Sequence, residues 1–123
     1  MPFDKAAFAK HLRDNAGPPF GQGKCATFVR KALEAGGLST AGHPASAKDY
    51  GPFLERHGFT RLAGAGYVPM VGDIAVMPGN DSSADGHVEG WDGRNWISDF
   101  VQNAIQPGPS FRKKGVYVVY RHP

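Results

Sequence analysis

Two side chains in this sequence have the chemistry to open an amide bond between them. Cys25, the single cysteine of the 123-residue chain, follows the glycine-rich stretch 16–23 (AGPPFGQG). It begins a segment in which Cys25, Val29, Ala32 and Leu33 recur at helical spacing. A cysteine at a helix start is placed to react, because the unpaired N–H groups and partial positive charge there stabilise a thiolate. The same N–H groups can hold the oxyanion of a tetrahedral intermediate, and the glycines let a substrate approach the sulfur. A cysteine on an apolar helix face also reads as a small buried hydrophobe, so it needs a base to become a nucleophile. His87 supplies one. It opens a predicted strand directly after the polar loop 80–86 (NDSSADG). Its ring can emerge at a sheet edge, accept the thiol proton and later return it to a leaving amine. His11, His43, His57 and His122 lie in the first helix, near loops or at the C-terminus, and are less well placed.

An imidazole base needs a third group to orient it. Asp92-Gly93 joins the runs His87–Trp91 and Asn95–Val101 and is a hairpin signal. A three-residue loop pairs Trp91 with Asn95 and sets Asp99 opposite His87, with Cβ atoms about 4.5–5.5 Å apart. A two-residue loop puts Ser98 there instead and turns Asp99 to the other face. The first register makes Asp99 the orienting carboxylate; otherwise it is a strand-surface aspartate. In that register Glu89 shares the face of His87, where it would raise the histidine pKa or select a cationic substrate, and Trp91 becomes a groove wall. Phe20 and Tyr50 are candidates for the opposite wall. Trp91, Trp96, Tyr117 and Tyr120 read more simply as core or sheet-packing residues than as a sugar platform.

Helices must come first to present the thiol, and strands second to present the imidazole. Residues Asp4–Asn15 form a predicted first helix. A second runs from Lys24 to the Gly36-Gly37 stop, and a short third covers Ser46–His57, broken near Gly51-Pro52. Strands are expected over Gly72–Met77, His87–Trp91, Asn95–Val101 and Val116–Tyr120. This order predicts the α+β class, with N-terminal helices packed on a C-terminal antiparallel sheet, in one domain over residues 1–123. A composition of 41% hydrophobic and 20% charged residues is globular rather than disordered. The net charge of +3 is spread along the chain apart from Arg112–Lys114. It forms no basic stripe with interleaved aromatics, which argues against nucleic-acid binding, though it weakly favours an anionic polymer. A lone cysteine excludes an internal disulfide and a cysteine metal cluster. The first fifteen residues carry five charges and no unbroken apolar core, and nothing approaches the roughly 20 apolar residues of a membrane span. The chain is expected to be made in the cytoplasm without a signal peptide.

The segments GKCATFVRKALEAGG, VGDIAVMPG and GHVEGWDGRNWISDFVQ resemble the signature blocks of the papain-like NlpC and CHAP cysteine amidases and peptidases. The resemblance runs from Gly23 to around Val101. It implies a papain-like fold with Cys25 as nucleophile, His87 as base and Asp99 as orienting residue, with no metal or cofactor. It further implies an amide bond of peptidoglycan as substrate. Glu89 departs from relatives that carry a small or apolar residue there, and Asp99 from the more frequent histidine or asparagine. Gln22 lies where some papain-like enzymes place an oxyanion donor, at a different spacing; otherwise it is a loop glutamine. The compact form and the closing segment QPGPSFRKKGVYVVYR are similar to small amidase effectors delivered by type VI secretion. That likeness implies action in a target bacterium's periplasm, an immunity protein blocking the cleft and a secretion-apparatus carrier. The alternatives are a phage endolysin, a Cys-His-Asp protein deamidase or acyltransferase toxin, a catalytically silent wall-binding module, and a metal site of His87, Glu89 and Asp99.

Overall fold

Asp4 caps the first helix, its carboxylate accepting the Ala7 N–H at 3.0 Å, and α1 runs over Lys5–Asn15. The computed structural model describes residues 3–18 and 24–123. Helix α2 spans Cys25–Ala35 and stops at Gly36. The predicted third helix is a 3-10 turn, Ala47–Asp49, leading into α3, Tyr50–Arg56. Gly51 and Pro52 sit inside its first turn rather than at a break. Proline is tolerated there because the first N–H groups of a helix have no intrahelical partner.

The strands are β1 (Thr60–Arg61), β2 (Ile74–Met77), β3 (His87–Trp91), β4 (Trp96–Ile97) and β5 (Val118–Arg121), with α4 (Pro109–Lys114) between the last two. They form one sheet in the order β1-β5-β2-β3-β4, each pair antiparallel. Helix α4 replaces what the sequence suggested was only a short basic run.

Alternation along β2 and β3 splits the apolar residues between the two faces. Ile74, Val76, Val88, Ile97 and Tyr120 face the helices and pack with Phe8, Leu12, Val29, Leu33 and Leu54. Helix α1 lies so close to β3 that a Cβ on Gly90 would stand 2.5 Å from Phe8 and 2.7 Å from Leu12. Ala75, Trp96 and Val119 face the other way, with Tyr67, Trp91 and Ile105 against them. Just before β2, the buried Asp73 binds Arg121 of β5 through Nε and Nη2, both at 2.8 Å. It also accepts the Tyr67 hydroxyl at 2.7 Å and the Met70 N–H at 2.9 Å.

The β3–β4 hairpin takes neither expected register. Asp92 Oδ1 accepts the N–H groups of Arg94 (2.8 Å) and Asn95 (2.7 Å), which holds Asn95 in the turn as a local side-chain cap. The loop therefore has four residues, and Trp91 pairs with Trp96. Beyond Ile97 the chain bends back: Ser98 N–H reaches the Phe100 carbonyl at 3.1 Å and Gln102 N–H reaches that of Trp96 at 2.9 Å.

Candidate active site

Cys25 is the first residue of α2 and remains partly exposed. It lines an open cavity of about 460 Å³ together with Lys24, Asp85, His87, Asp99 and Phe111. Helix α2 presents the sulfur at its N-terminal end while Val29, Ala32 and Leu33 anchor the same helix in the core. His87 enters as the first residue of β3. The preceding Gly86 turns the chain at φ +72°, and a Cβ there would collide with the Met77 carbonyl and the Lys48 side chain. Only glycine makes this entry without strain.

The imidazole is 6% exposed and tightly held. Its Nε2 lies 2.8 Å from Gln102 Oε1 and 3.1 Å from Glu89 Oε1. Gln102 Oε1 also accepts the Ser98 hydroxyl at 2.9 Å, while Gln102 Nε2 donates to Glu89 Oε1 at 2.7 Å and to the Ala104 carbonyl at 3.0 Å. With an acceptor oxygen facing it, Nε2 carries a hydrogen, which leaves Nδ1 as the ring nitrogen for acid–base work. Phe111 of α4 leans over the ring at a centroid distance of 5.6 Å.

Burial pulls the imidazole pKa down, but hydrogen bonds and charges from Cys25 and Glu89 outweigh it and hold the ring well above its ordinary value. Glu89 is fully buried. Burial raises its carboxyl pKa, against the opposing pull of His87 and Gln102, and its Oε2 has no hydrogen-bond partner among the described residues. The arrangement can keep a protonated imidazole beside a sulfur in a half-open cavity, the starting point for nucleophilic acyl transfer.

No protein-family model matches the sequence, and a search of curated proteins gives no match. Among solved structures, the chain is similar to one from the type VI native effector-immunity complex Tae3-Tai3 of Ralstonia pickettii. The two are 38% identical, the alignment covers 98% of this chain and 100% of that one, and the TM-score is 0.90. The selenomethionine form of the complex gives 39% identity, coverage of 94% and 99%, and a TM-score of 0.83. The chain belongs to the Tae3 family. The match agrees with the expected papain-like α+β fold.

In this Tae3-family member the expected site residues divide into groups. Cys25, His87 and Asp99 line the same cavity. The register meant to set Asp99 across from His87 is corrected, because the four-residue loop pairs Gly90 with Ile97. Asp99 instead accepts the Lys24 N–H at the start of α2 through Oδ2 at 3.1 Å, and its Oδ1 lies 3.3 Å from the Ser98 hydroxyl oxygen. Its carbonyl takes the Gly17 N–H at 2.8 Å. Glu89 does share the face of His87, but it is too deeply buried to select a substrate by direct contact. Trp91 lines a separate cavity. Tyr50 is in the core, with its hydroxyl directed at the Ala26 carbonyl. Gln22 and Phe20 lie outside the described residues. No group of three metal-binding side chains occurs among the described residues, so His87, Glu89 and Asp99 do not form the metal site that was one alternative. Gln102 had no role in the sequence reading, although it ends the GHV segment. Its signal is a glutamine four residues after Ser98, and it becomes meaningful only once the chain is known to bend back after β4.

Proposed function

We propose that this chain is a cysteine-dependent hydrolase of peptidoglycan amide bonds, in or next to the stem peptide. In this reading it acts as an antibacterial type VI effector in a target periplasm. The main support is the shared cavity of Cys25 and His87, in a chain aligned along nearly its whole length with a solved effector-immunity complex. The order of the cysteine, GD and GHV segments supports a place among NlpC- and CHAP-type enzymes, with residues 1–123 as one catalytic domain.

Cys25 Sγ attacks the amide carbonyl, and N–H groups at the start of α2 receive the oxyanion. Protonated His87 gives its Nδ1 proton to the departing amine as the C–N bond breaks, leaving an acyl thioester. The neutral imidazole then takes a proton from water, whose oxygen attacks the thioester. The C–S bond breaks, and the acid and the thiolate are released. Glu89 and Gln102 hold Nε2 throughout, and Asp99 positions the start of the helix that carries the sulfur. An immunity protein would act by filling the cavity, and a secretion-apparatus carrier would deliver the enzyme.

Purified protein incubated with sacculi should release new amino groups, and Cys25→Ala should reduce the release to background. Normal cleavage by that variant removes the nucleophile assignment. Ammonia release from protein glutamine, with no muropeptide products, redirects the reading to a deamidase.

A further inference from the structure

On the sheet face away from α1–α3 lies a second cavity, of about 390 Å³. Its walls are aromatic. Trp91 and Trp96, paired across β3 and β4, stand 5.3 Å apart with their rings tilted by 58°, and Tyr67 and Tyr117 are the other aromatics of the lining, beside Pro69, Ala104 and Ile105. Trp96 is buried, whereas Trp91 is only partly covered and Tyr117 is 37% exposed. The rim is polar: Arg94, Asn95 and Asn103 reach it. The side chains of all three lack a hydrogen-bond or ion-pair partner among the described residues. Gln102 belongs both to this lining and to the hydrogen-bond set around His87.

We infer that this cavity binds sugar rings of the wall glycan, an inference that rests on the peptidoglycan reading above. Flat aromatic faces suit the C–H faces of pyranose rings. Unengaged amide and guanidinium donors at the rim suit hydroxyl and acetamide oxygens. The two cavities sit near opposite ends of one strand: Trp91 is four residues from His87 along β3, about 13 Å at about 3.3 Å per residue, with the buried Glu89 and Gln102 between them. The glycan is held at the aromatic wall while another part of the same polymer reaches the sulfur.

The chain has two tryptophans, and both line this cavity, so intrinsic fluorescence reports on it directly. Titrating the full-length Cys25→Ala protein with a soluble N-acetylglucosamine oligomer should give a saturable emission change in the millimolar range or tighter. Adding Tyr117→Ala or Arg94→Ala should weaken that binding about tenfold, or about 1.4 kcal/mol. A sugar-free stem peptide should leave the emission unchanged. An absent response, one unaffected by both substitutions, or an equal response to the bare peptide overturns the saccharide assignment. The measurement needs no turnover, so the two readings fail separately. Sugar binding without amide cleavage sinks only the hydrolase, and cleavage without sugar binding sinks only this site.

Discussion

Two carboxylates, Asp73 and Glu89, lie equally deep, both at 0% exposure, yet they are held in different ways. Both oxygens of Asp73 are engaged: Arg121 grips Oδ1 and Oδ2, and Tyr67 and Met70 add further donors to Oδ2. Its partner cation is an arginine, which does not titrate in the working range. Glu89 uses Oε1 for His87 and Gln102 and leaves Oε2 without a described partner. Its partner is an imidazole, which does titrate. The contrast teaches that completeness of hydrogen bonding separates a carboxylate that fastens strands from one that keeps a proton available.

The largest effect should come from the fastening group. Asp73→Ala removes the carboxylate from Arg121, which keeps only the Val68 carbonyl, and from Tyr67, and should cost about 3 kcal/mol in chemical denaturation, while the folded fraction keeps its amide-releasing activity. A loss under about 1 kcal/mol would erase the distinction. Next, Glu89→Gln should lower amide release on the order of 10²-fold, and it should move the alkaline limb of activity to lower pH. The sign follows from the imidazole, whose pKa is raised to about 10 in the folded chain. Its contribution to stability is complete below the ordinary histidine value of about 6.5 and fades as pH rises through the raised one. Without the Glu89 charge, that loss should be complete at lower pH, which denaturation midpoints across neutral to alkaline pH will read. An equal pH shift in Asp73→Ala breaks the comparison. The smallest effect is Tyr67→Phe, which removes one donor to Asp73 and should cost about 1 kcal/mol without altering the pH–rate profile.

Much of this was legible in the sequence where local rules act alone. The glycine stop after α2, the β-branched run of β5 and the His87–Trp91 strand follow from local spacing and composition, and the last of these has the expected bounds. Sequence failed where a side chain competed with the backbone. Asp92 turned a two- or three-residue loop into a four-residue one, and every partner beyond the hairpin changed with it. The same slip hid the link between His87 and Gln102, because residues fifteen apart meet only after the bend that follows Ile97. Helix α4 was missed for another reason. Its six residues, PSFRKK, show a single buried apolar anchor, Phe111, too little periodicity to read.

Asp99 takes the Gly17 N–H on its carbonyl and the Lys24 N–H on its carboxylate, so both flanks of the stretch between α1 and α2 end on one residue at the exit of the hairpin. The start of the helix that carries the sulfur is thereby fastened to the exit of the hairpin whose first strand carries the ring.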